Sequence, residues 1–213
     1  REMPYWAALW ERHARGDSAF RASMTTIRDV ILNDTIAVTT RPVIDTAETD
    51  LLRLLNANSY QKGGFVLHML REELGDTAFF RGVRNYYNAH KHSTAVTPDL
   101  QDALERSSGR ELDFFFEQWL RRPGYPELDV AWSVDSASTR LGVTVVQGER
   151  FGAFQFNLRL ALTDAIGTVR RVEIAIPAQD TTKVELPIPG PVTQVEVDPA
   201  IQLLAKISVR REP

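Results

Sequence analysis

The four histidines are the residues of this chain with the best chemistry for holding a metal ion. A hydrolytic zinc site typically places two histidines one helical turn apart around a glutamate, as H-E-x-x-H. None of the four is followed by glutamate. His90 and His92 are two positions apart, so on a helix they point to different faces, and a histidine at a helix C-terminus complements the helix dipole. The histidines therefore predict no metal site within the chain.

Other catalytic patterns are equally absent from the sequence. Glu72 and Glu73 adjoin an arginine and are predicted to lie on a solvated face, while Asp99 and Asp102 suit the start of a helix. There is no G-x-S-x-G elbow, no phosphate-binding loop and no cysteine. His68 lies among Leu67 and Met69, which predicts a residue of the core or its boundary.

One short stretch, NSYQKGGFVLHML at residues 58–70, combines an unusual polar lead with an apolar continuation. Tyr60 and Lys62 stand directly before two glycines, and the residues from Phe65 to Leu70 have the spacing of a helix with a buried face. A tyrosine in this place can pack against the first turn of the helix that follows. From the residues alone, Tyr60 is therefore given a structural interpretation.

The first part of the chain is predicted to be helical, because its apolar residues recur every three or four positions. Helices are expected at residues 4–31 with a break at Gly16-Asp17, at 65–74, at 79–87, at 97–109 and at 112–120. Residues 32–50 mix β-branched residues, acidic residues and Pro42, and are predicted to be irregular. The cluster Pro123-Gly124-Tyr125-Pro126 would end any helix.

After this cluster the apolar period changes to two, which predicts strands with one buried face. Seven are expected, at residues 128–134, 141–147, 154–162, 169–176, 183–188, 192–197 and 201–209. Seven short strands separated by turn residues are typical of a β-sandwich. The predicted fold class is α+β with two domains, an all-helical part at residues 1–124 and an antiparallel β-sandwich at residues 125–213.

Composition and charge narrow the possible functions. The chain has 213 residues, 43% of them hydrophobic and 25% charged, as in a soluble globular protein. A net charge of −3 provides no basic surface for nucleic acid. No apolar run approaches the roughly 18 to 20 residues that span a bilayer. The sequence begins with Arg1 rather than methionine, which suggests a piece of a longer protein, and it leaves the cellular compartment open.

An ordered set of short segments resembles the aminopeptidase N family of zinc metallopeptidases, the gluzincins. The set begins with the Tyr-x-Lys-Gly segment at Tyr60. It continues with GDTAFF at 75–80, YY at 86–87, TPDL at 97–100, SG at 108–109, F-x-x-WL at 116–120, PGYP at 123–126 and VDP at 197–199. The likeness covers roughly residues 50 to 206. It implies that the helical part is the second half of a thermolysin-like catalytic domain.

The resemblance also implies a function for a parent protein. In this family a zinc-bound water, activated by the glutamate of H-E-x-x-H, attacks the carbonyl of a peptide substrate. The tyrosine matched by Tyr60 donates a hydrogen bond to the oxyanion that forms. The glycines after it would let the backbone pass close to neighbouring segments. The resemblance thus assigns Tyr60 as a catalytic residue of a zinc aminopeptidase.

The departures from the family pattern are as informative as the match. H-E-x-x-H and the motif that recognises a free amino terminus are both missing, so exopeptidase and endopeptidase action stay open. A third zinc ligand should precede the first helix; only Glu2 is near enough, and its neighbours do not match. We expect the zinc to be held by the N-terminal part of the same polypeptide, and this chain alone to bind no catalytic zinc and to be inactive.

A different class of function remains open beside this one. A peptidase-like chain that has lost its metal motif could serve as a non-catalytic interaction scaffold, which exposed aromatic surface would favour. A weaker alternative makes the sandwich a carbohydrate- or protein-binding module. The discriminating observation is whether H-E-x-x-H precedes Arg1 in the parent protein.

Overall fold

The computed structural model describes residues 4–135, 137 and 139–212. The chain divides into two compact units, Arg1–Gly124 and Tyr125–Pro213. The first is helical and the second consists of strands. The predicted fold class, helices followed by a β-sandwich, is confirmed.

The helical unit begins with two helices joined by a single glycine. Helix α1 (Pro4–Arg15) and helix α2 (Asp17–Asn33) pack against each other, and Gly16 between them has φ of +87°, a conformation that favours glycine. A short helix α3 (Ala37–Thr40) follows, capped by the Asp34 carboxylate, which accepts the N–H of Val38. The region predicted to be irregular therefore contains one helical turn.

Helix α4 (Gly63–His90) is interrupted at Gly75, where φ of +76° and ψ of 157° are not helical. The two helices predicted here are therefore the two halves of one bent element. Helix α5 (Thr97–Ser108) ends at Gly109 in the left-handed conformation, and helix α6 (Asp113–Leu120) completes the unit. Thr97 is the first residue of α5, and the Asp99 carboxylate accepts the N–H of Val96, the residue before the helix.

The core of the helical unit draws on all its longer helices. Its most completely buried large hydrophobic side chains are Tyr5, Met24, Ile31, Phe65, Leu70, Phe79, Leu104 and Trp119. Helix α4 contributes three of them and packs along α5. This makes α4 the central element, and the segment that leads into it is held by surrounding elements.

The second unit contains the seven strands expected from the alternating pattern: β1 (Glu127–Val134), β2 (Arg140–Gln147), β3 (Phe156–Asp164), β4 (Val169–Ile176), β5 (Thr181–Pro187), β6 (Val192–Val197) and β7 (Lys206–Arg211). One sheet has the order β5-β2-β1-β7 and the other β4-β3-β6. Their buried faces include Val130, Val143, Leu158 and Leu160.

Two details of the sandwich differ from the sequence prediction. Neighbouring strands are antiparallel throughout the described sheets except β1 and β7, which run parallel from Glu127↔Lys206 to Trp132↔Arg211. The last strand begins at Lys206 rather than residue 201. The Asp198 carboxylate accepts the N–H groups of Gln202 and Leu203, which folds this segment into a turn.

Candidate functional site

Tyr60 lies on a turn of π-helix, Asn58–Lys62, directly before helix α4. The N–H of Lys62 donates to the carbonyl of Ala57 at 2.9 Å, the five-residue spacing of this helix type. Such turns are rare and occur frequently at functional sites. The Tyr60 side chain is half-buried, and its hydroxyl makes no hydrogen bond to the part of the chain that the structure describes.

Side chains of the preceding residues shape this turn. The Asp50 carboxylate accepts the N–H of Leu52 and begins a 3₁₀ turn, Leu51–Leu54. The Asn56 side-chain oxygen accepts the N–H of Asn58 at 2.8 Å, an Asx-type hydrogen bond at the start of the π-turn. The Ser59 hydroxyl donates back to the Leu54 carbonyl. The polar residues before α4 therefore fold the backbone locally and leave the Tyr60 ring at the surface of the turn.

Asn58, at the start of the π-turn, is 2% exposed. The two N–H groups of its Nδ2 are shared among three carbonyl oxygens, those of Ala37 at 2.8 Å, Arg41 at 2.9 Å and Pro42 at 3.3 Å. The buried Oδ1 of this amide accepts no hydrogen bond from the described residues, so Asn58 is held through Nδ2, which joins the segment around α3 to the turn.

Lys62, at the end of the π-turn, has no exposed surface. Its Nζ donates to the carbonyl of Arg122 at 3.1 Å. Burial, together with the smaller effect of the nearby positive charge of Arg122, lowers the pKa of Lys62 from 10.5 to about 7. A lysine in this environment loses its proton near neutral pH.

The two glycines after Lys62 have different surroundings. A Cβ added to Gly64 would lie 3.4 Å from the backbone nitrogen and the Cβ of Tyr5, so α1 approaches α4 closely here. A Cβ on Gly63 would lie 3.4 Å from the carbonyl oxygen of Asn58. The expectation that the glycines permit close backbone passage is met at Gly64, where the neighbouring segment is α1.

The histidines considered in the sequence analysis contact aromatic side chains or solvent. His68 is buried among the rings of Tyr5, Phe20 and Phe65, at centroid distances of 5.4 to 5.7 Å, which confirms its prediction as a core residue. His90 stacks near Tyr86 at the end of α4, and His92 is exposed.

The acidic candidates also serve the fold. Glu73 pairs with Arg110, Asp102 lies 3.6 Å from Arg106, and Asp99 caps α5. Within residues 4–135, 137 and 139–212, no group of three or more histidines and acids could hold a metal ion. Glu2 lies outside the described residues. No described helix is both long and apolar enough to cross a membrane.

The structure therefore adds two residues to the candidate site that sequence reasoning did not select, Asn58 and Lys62. A signal for Lys62 was present, because it precedes Phe65, Val66 and Met69 by three, four and seven positions. That spacing places it on the buried face of the helix.

Comparison with known proteins agrees with the resemblance drawn from the segments. The sequence matches the Peptidase family M1 domain over residues 4–119. Aminopeptidase N of Lactococcus lactis subsp. lactis is 43% identical over 67 residues, which cover 32% of this chain and 8% of that protein. Aminopeptidase N of Lactobacillus delbrueckii subsp. lactis is 35% identical over 123 residues, 58% of this chain and 14% of that protein. The chain thus spans only a small part of the curated relatives it matches.

A solved structure extends the likeness to the strand unit. The crystal structure of Legionella pneumophila aminopeptidase A in complex with aspartic acid aligns with a TM-score of 0.73 over 96% of this chain and 23% of that chain. The identity is 16%, so this comparison concerns the fold. The predicted relationship to the aminopeptidase N family is confirmed. Because the match to its domain covers more than half of the chain, the protein belongs to peptidase family M1.

Proposed function

We propose that this chain is the C-terminal part of a zinc-dependent aminopeptidase, in which Tyr60 donates a hydrogen bond to the oxyanion formed during peptide hydrolysis. The observation that carries the proposal is the presentation of Tyr60, half-buried on a π-turn with its hydroxyl free of the described residues, in a chain of family M1. The names of the relatives, aminopeptidase N in two bacteria, support the reaction class.

The chemical role follows from the phenol group. A tyrosine hydroxyl is a hydrogen-bond donor, so it can donate to a negatively charged oxygen. A donor placed where charge develops stabilises the transition state more than the ground state, and that difference accelerates the reaction. The half-buried ring would hold the hydroxyl in a partly dehydrated position, where such a hydrogen bond is stronger than in water.

The proposed zinc does not fit the described residues. They contain no suitable group of histidines and acids, so the metal ligands and the water-activating carboxylate would come from the part of the parent protein that this chain does not span. The zinc would supply the Lewis acid and the activated water. The metal ligands would thus come from the rest of the parent protein, and this chain would contribute the hydrogen-bond donor Tyr60 and the fold that supports it.

The zinc assignment can be tested on the chain itself. We expect the purified chain, equilibrated with zinc and desalted, to retain far less than one zinc per molecule and to release no product from aminoacyl substrates. Atomic absorption measures the metal content. A stoichiometric zinc that resists desalting would contradict the proposed location of the ligands.

The role of Tyr60 requires the parent enzyme. Tyr60→Phe removes only the hydroxyl, and we expect kcat to fall by about 10²- to 10³-fold, as on loss of one oxyanion donor, with zinc content unchanged. Tyr87→Phe is a matched control, since Tyr87 lies on helix α4, which follows the π-turn, and is 64% exposed. Unchanged turnover in Tyr60→Phe would overturn the proposed role.

A further inference from the structure

We infer that Asn58 and Lys62 are positioning residues, which hold the π-turn in the one geometry that directs the Tyr60 hydroxyl toward substrate. The inference rests on the proposed function of Tyr60. It explains why two polar side chains on the same turn are fully buried, whereas Tyr60 between them is half-buried.

The two residues bracket Tyr60 symmetrically. Asn58 precedes it by two positions and Lys62 follows it by two, and both are essentially without exposed surface. Their side chains leave the turn toward different segments, Asn58 toward residues 37–42 and Lys62 toward the residues after α6. The backbone that carries Tyr60 is therefore fixed on both sides by long-range hydrogen bonds.

The segments that receive these hydrogen bonds are also joined to each other. The N–H of Gly124 donates to the carbonyl of Val38 at 2.7 Å, and the N–H of Ile44 donates to the carbonyl of Leu120 at 2.9 Å. Asn58, the segment around α3, the segment after α6 and Lys62 thus form a closed circuit around the turn. If one of these segments moved, the hydrogen bonds between the others would still hold the π-turn in place.

The π-helical geometry explains why such a restraint is needed. A π-turn holds one residue more per turn than the α-helix that follows it here, and isolated π-helix is rare. Relaxation of the turn into α-helix would rotate the preceding residues by about 100° around the helix axis, the angle per residue of an α-helix. Tyr60 would then leave its position, and the Asn58 amide would lose its three carbonyl acceptors.

The choice of lysine also points to a specific geometry. A buried ammonium costs more than a buried methyl group, so an apolar side chain at this position would favour stability. What lysine adds is a hydrogen bond to one carbonyl, that of Arg122. Both the ammonium and the neutral amine carry N–H groups, so this hydrogen bond persists in either protonation state.

The test uses the parent enzyme and a double-mutant cycle. Lys62→Met keeps an unbranched, flexible side chain, one heavy atom shorter, and removes the donor. We expect kcat to fall by about tenfold or more, in line with the cost of a misplaced catalytic group, with KM within about twofold and the thermal midpoint not lowered. Lys91→Met, at an exposed lysine just after α4, is the matched control and should leave kcat unchanged.

The combination with Tyr60→Phe separates a positioning role from a purely structural one. If Lys62 acts through Tyr60, the Lys62→Met change should cost almost nothing further in the Tyr60→Phe background. If the losses in kcat of the two single variants multiply in the double variant, the inference is wrong. It is also wrong if Lys62→Met alone leaves kcat unchanged. The proposed function stands in both cases. Unchanged turnover in Tyr60→Phe overturns the inference and the proposed function.

A second variant keeps the test independent of the folding of Lys62→Met. Asn58→Ala removes the donors to the carbonyls of Ala37 and Arg41, and we expect the same loss in kcat and the same absence of a further loss with Tyr60→Phe. Asn88→Ala, at an exposed position of α4, is its control. A multiplicative loss in the Asn58 cycle would likewise overturn the inference.

Discussion

Lys62 brings an ionisable group into a fully buried position, and its contribution to stability depends on pH. Its folded-state pKa of about 7 lies below its ordinary value of 10.5, because burial disfavours the charged form and the Arg122 charge adds to the effect. Between these two values the folded protein carries a neutral lysine while the unfolded chain carries an ammonium. Unfolding in this range takes up a proton.

This uptake determines the sign of the pH dependence. A rise in pH opposes proton uptake, so the free energy of unfolding of the helical unit should rise from about pH 7 toward pH 10.5, by up to about 1.4 kcal/mol per pH unit. Urea unfolding followed by helical circular dichroism at pH 7, 8 and 9 measures the slope. Lys62→Met should lack this rise and be more stable at pH 7; equal slopes in both proteins would contradict the assignment.

Tyr5 does not interfere with this measurement. Burial is the largest influence on its hydroxyl and raises its pKa above 10, so it remains protonated over the range tested.

Among the elements, the crossing of α4 and α5 depends on the absence of a side chain at Gly82. A Cβ there would lie 2.7 Å from the Ser107 hydroxyl oxygen, 2.8 Å from the Leu104 Cδ2 and 3.1 Å from the Leu104 Cα. The last of these is a backbone atom, so relieving that contact requires α5 to shift by a few tenths of an ångström, in addition to movement of the Ser107 and Leu104 side chains. The two helices approach closely because residue 82 is glycine.

Replacement of this glycine should therefore destabilise the helical unit. Overpacking costs about 1 to 3 kcal/mol, which outweighs the roughly 1 kcal/mol that alanine gains over glycine in a helix. We expect Gly82→Ala to lower the urea midpoint of the helical signal. Gly190→Ala, at a position where an added Cβ meets nothing within 4 Å, should leave stability nearly unchanged. A midpoint at or above that of the unchanged protein in Gly82→Ala would contradict the clash.

The break in α4 supports a buried arginine. Helix α4 is kinked at Gly75, and directly after this kink the Asp76 carboxylate pairs with Arg71, with oxygens 2.7 Å from Nε and 2.9 Å from Nη2. Arg71 also lies 3.4 Å from the Tyr5 hydroxyl. Its side chain is 7% exposed, whereas that of Asp76 is 66% exposed, so the guanidinium depends on this carboxylate for its charge partner.

Removal of the Asp76 carboxylate should show how strongly the stability of the helical unit depends on this charge partner of Arg71. Asp76→Ala leaves a buried cation with less compensation, and we expect a loss of about 1 to 3 kcal/mol in the free energy of unfolding. Glu185→Ala removes the acid from an exposed pair with Arg140 and should cost no more than about 1 kcal/mol. Thermal or urea unfolding of the two variants side by side measures the difference; equal losses would contradict the role of burial.

These elements show which parts of the fold could be predicted from sequence. The strands and long helices follow from apolar periodicity, and the helix ends at Gly16 and Gly109 from glycine itself, because these signals are local. The π-turn and the burial of Asn58 and Lys62 depend on acceptors at residues 37–42 and 122, far away in sequence. No local pattern specifies those contacts, so the surroundings of Tyr60 required the structure.

For the whole molecule, the division at Gly124 places a complete core in each unit. The strand unit has its own buried residues on both sheets, including Val143, Val145, Leu158 and Leu160. We expect residues 125–213 expressed alone to fold, with strand-type circular dichroism and a single cooperative urea transition that coincides with Trp132 fluorescence. Non-coincident or gradual transitions would contradict the independence of this unit.

The parallel pairing of β1 with β7 has a mechanical consequence. These strands are the first and last of the unit and lie side by side from Glu127↔Lys206 to Trp132↔Arg211. A force that pulls the two ends of the unit apart draws parallel neighbours along each other, so it loads all their hydrogen bonds at once in shear. Antiparallel neighbours joined by a hairpin would instead open one hydrogen bond at a time. The sandwich should therefore resist stretching between its ends more strongly than its thermal stability alone would suggest.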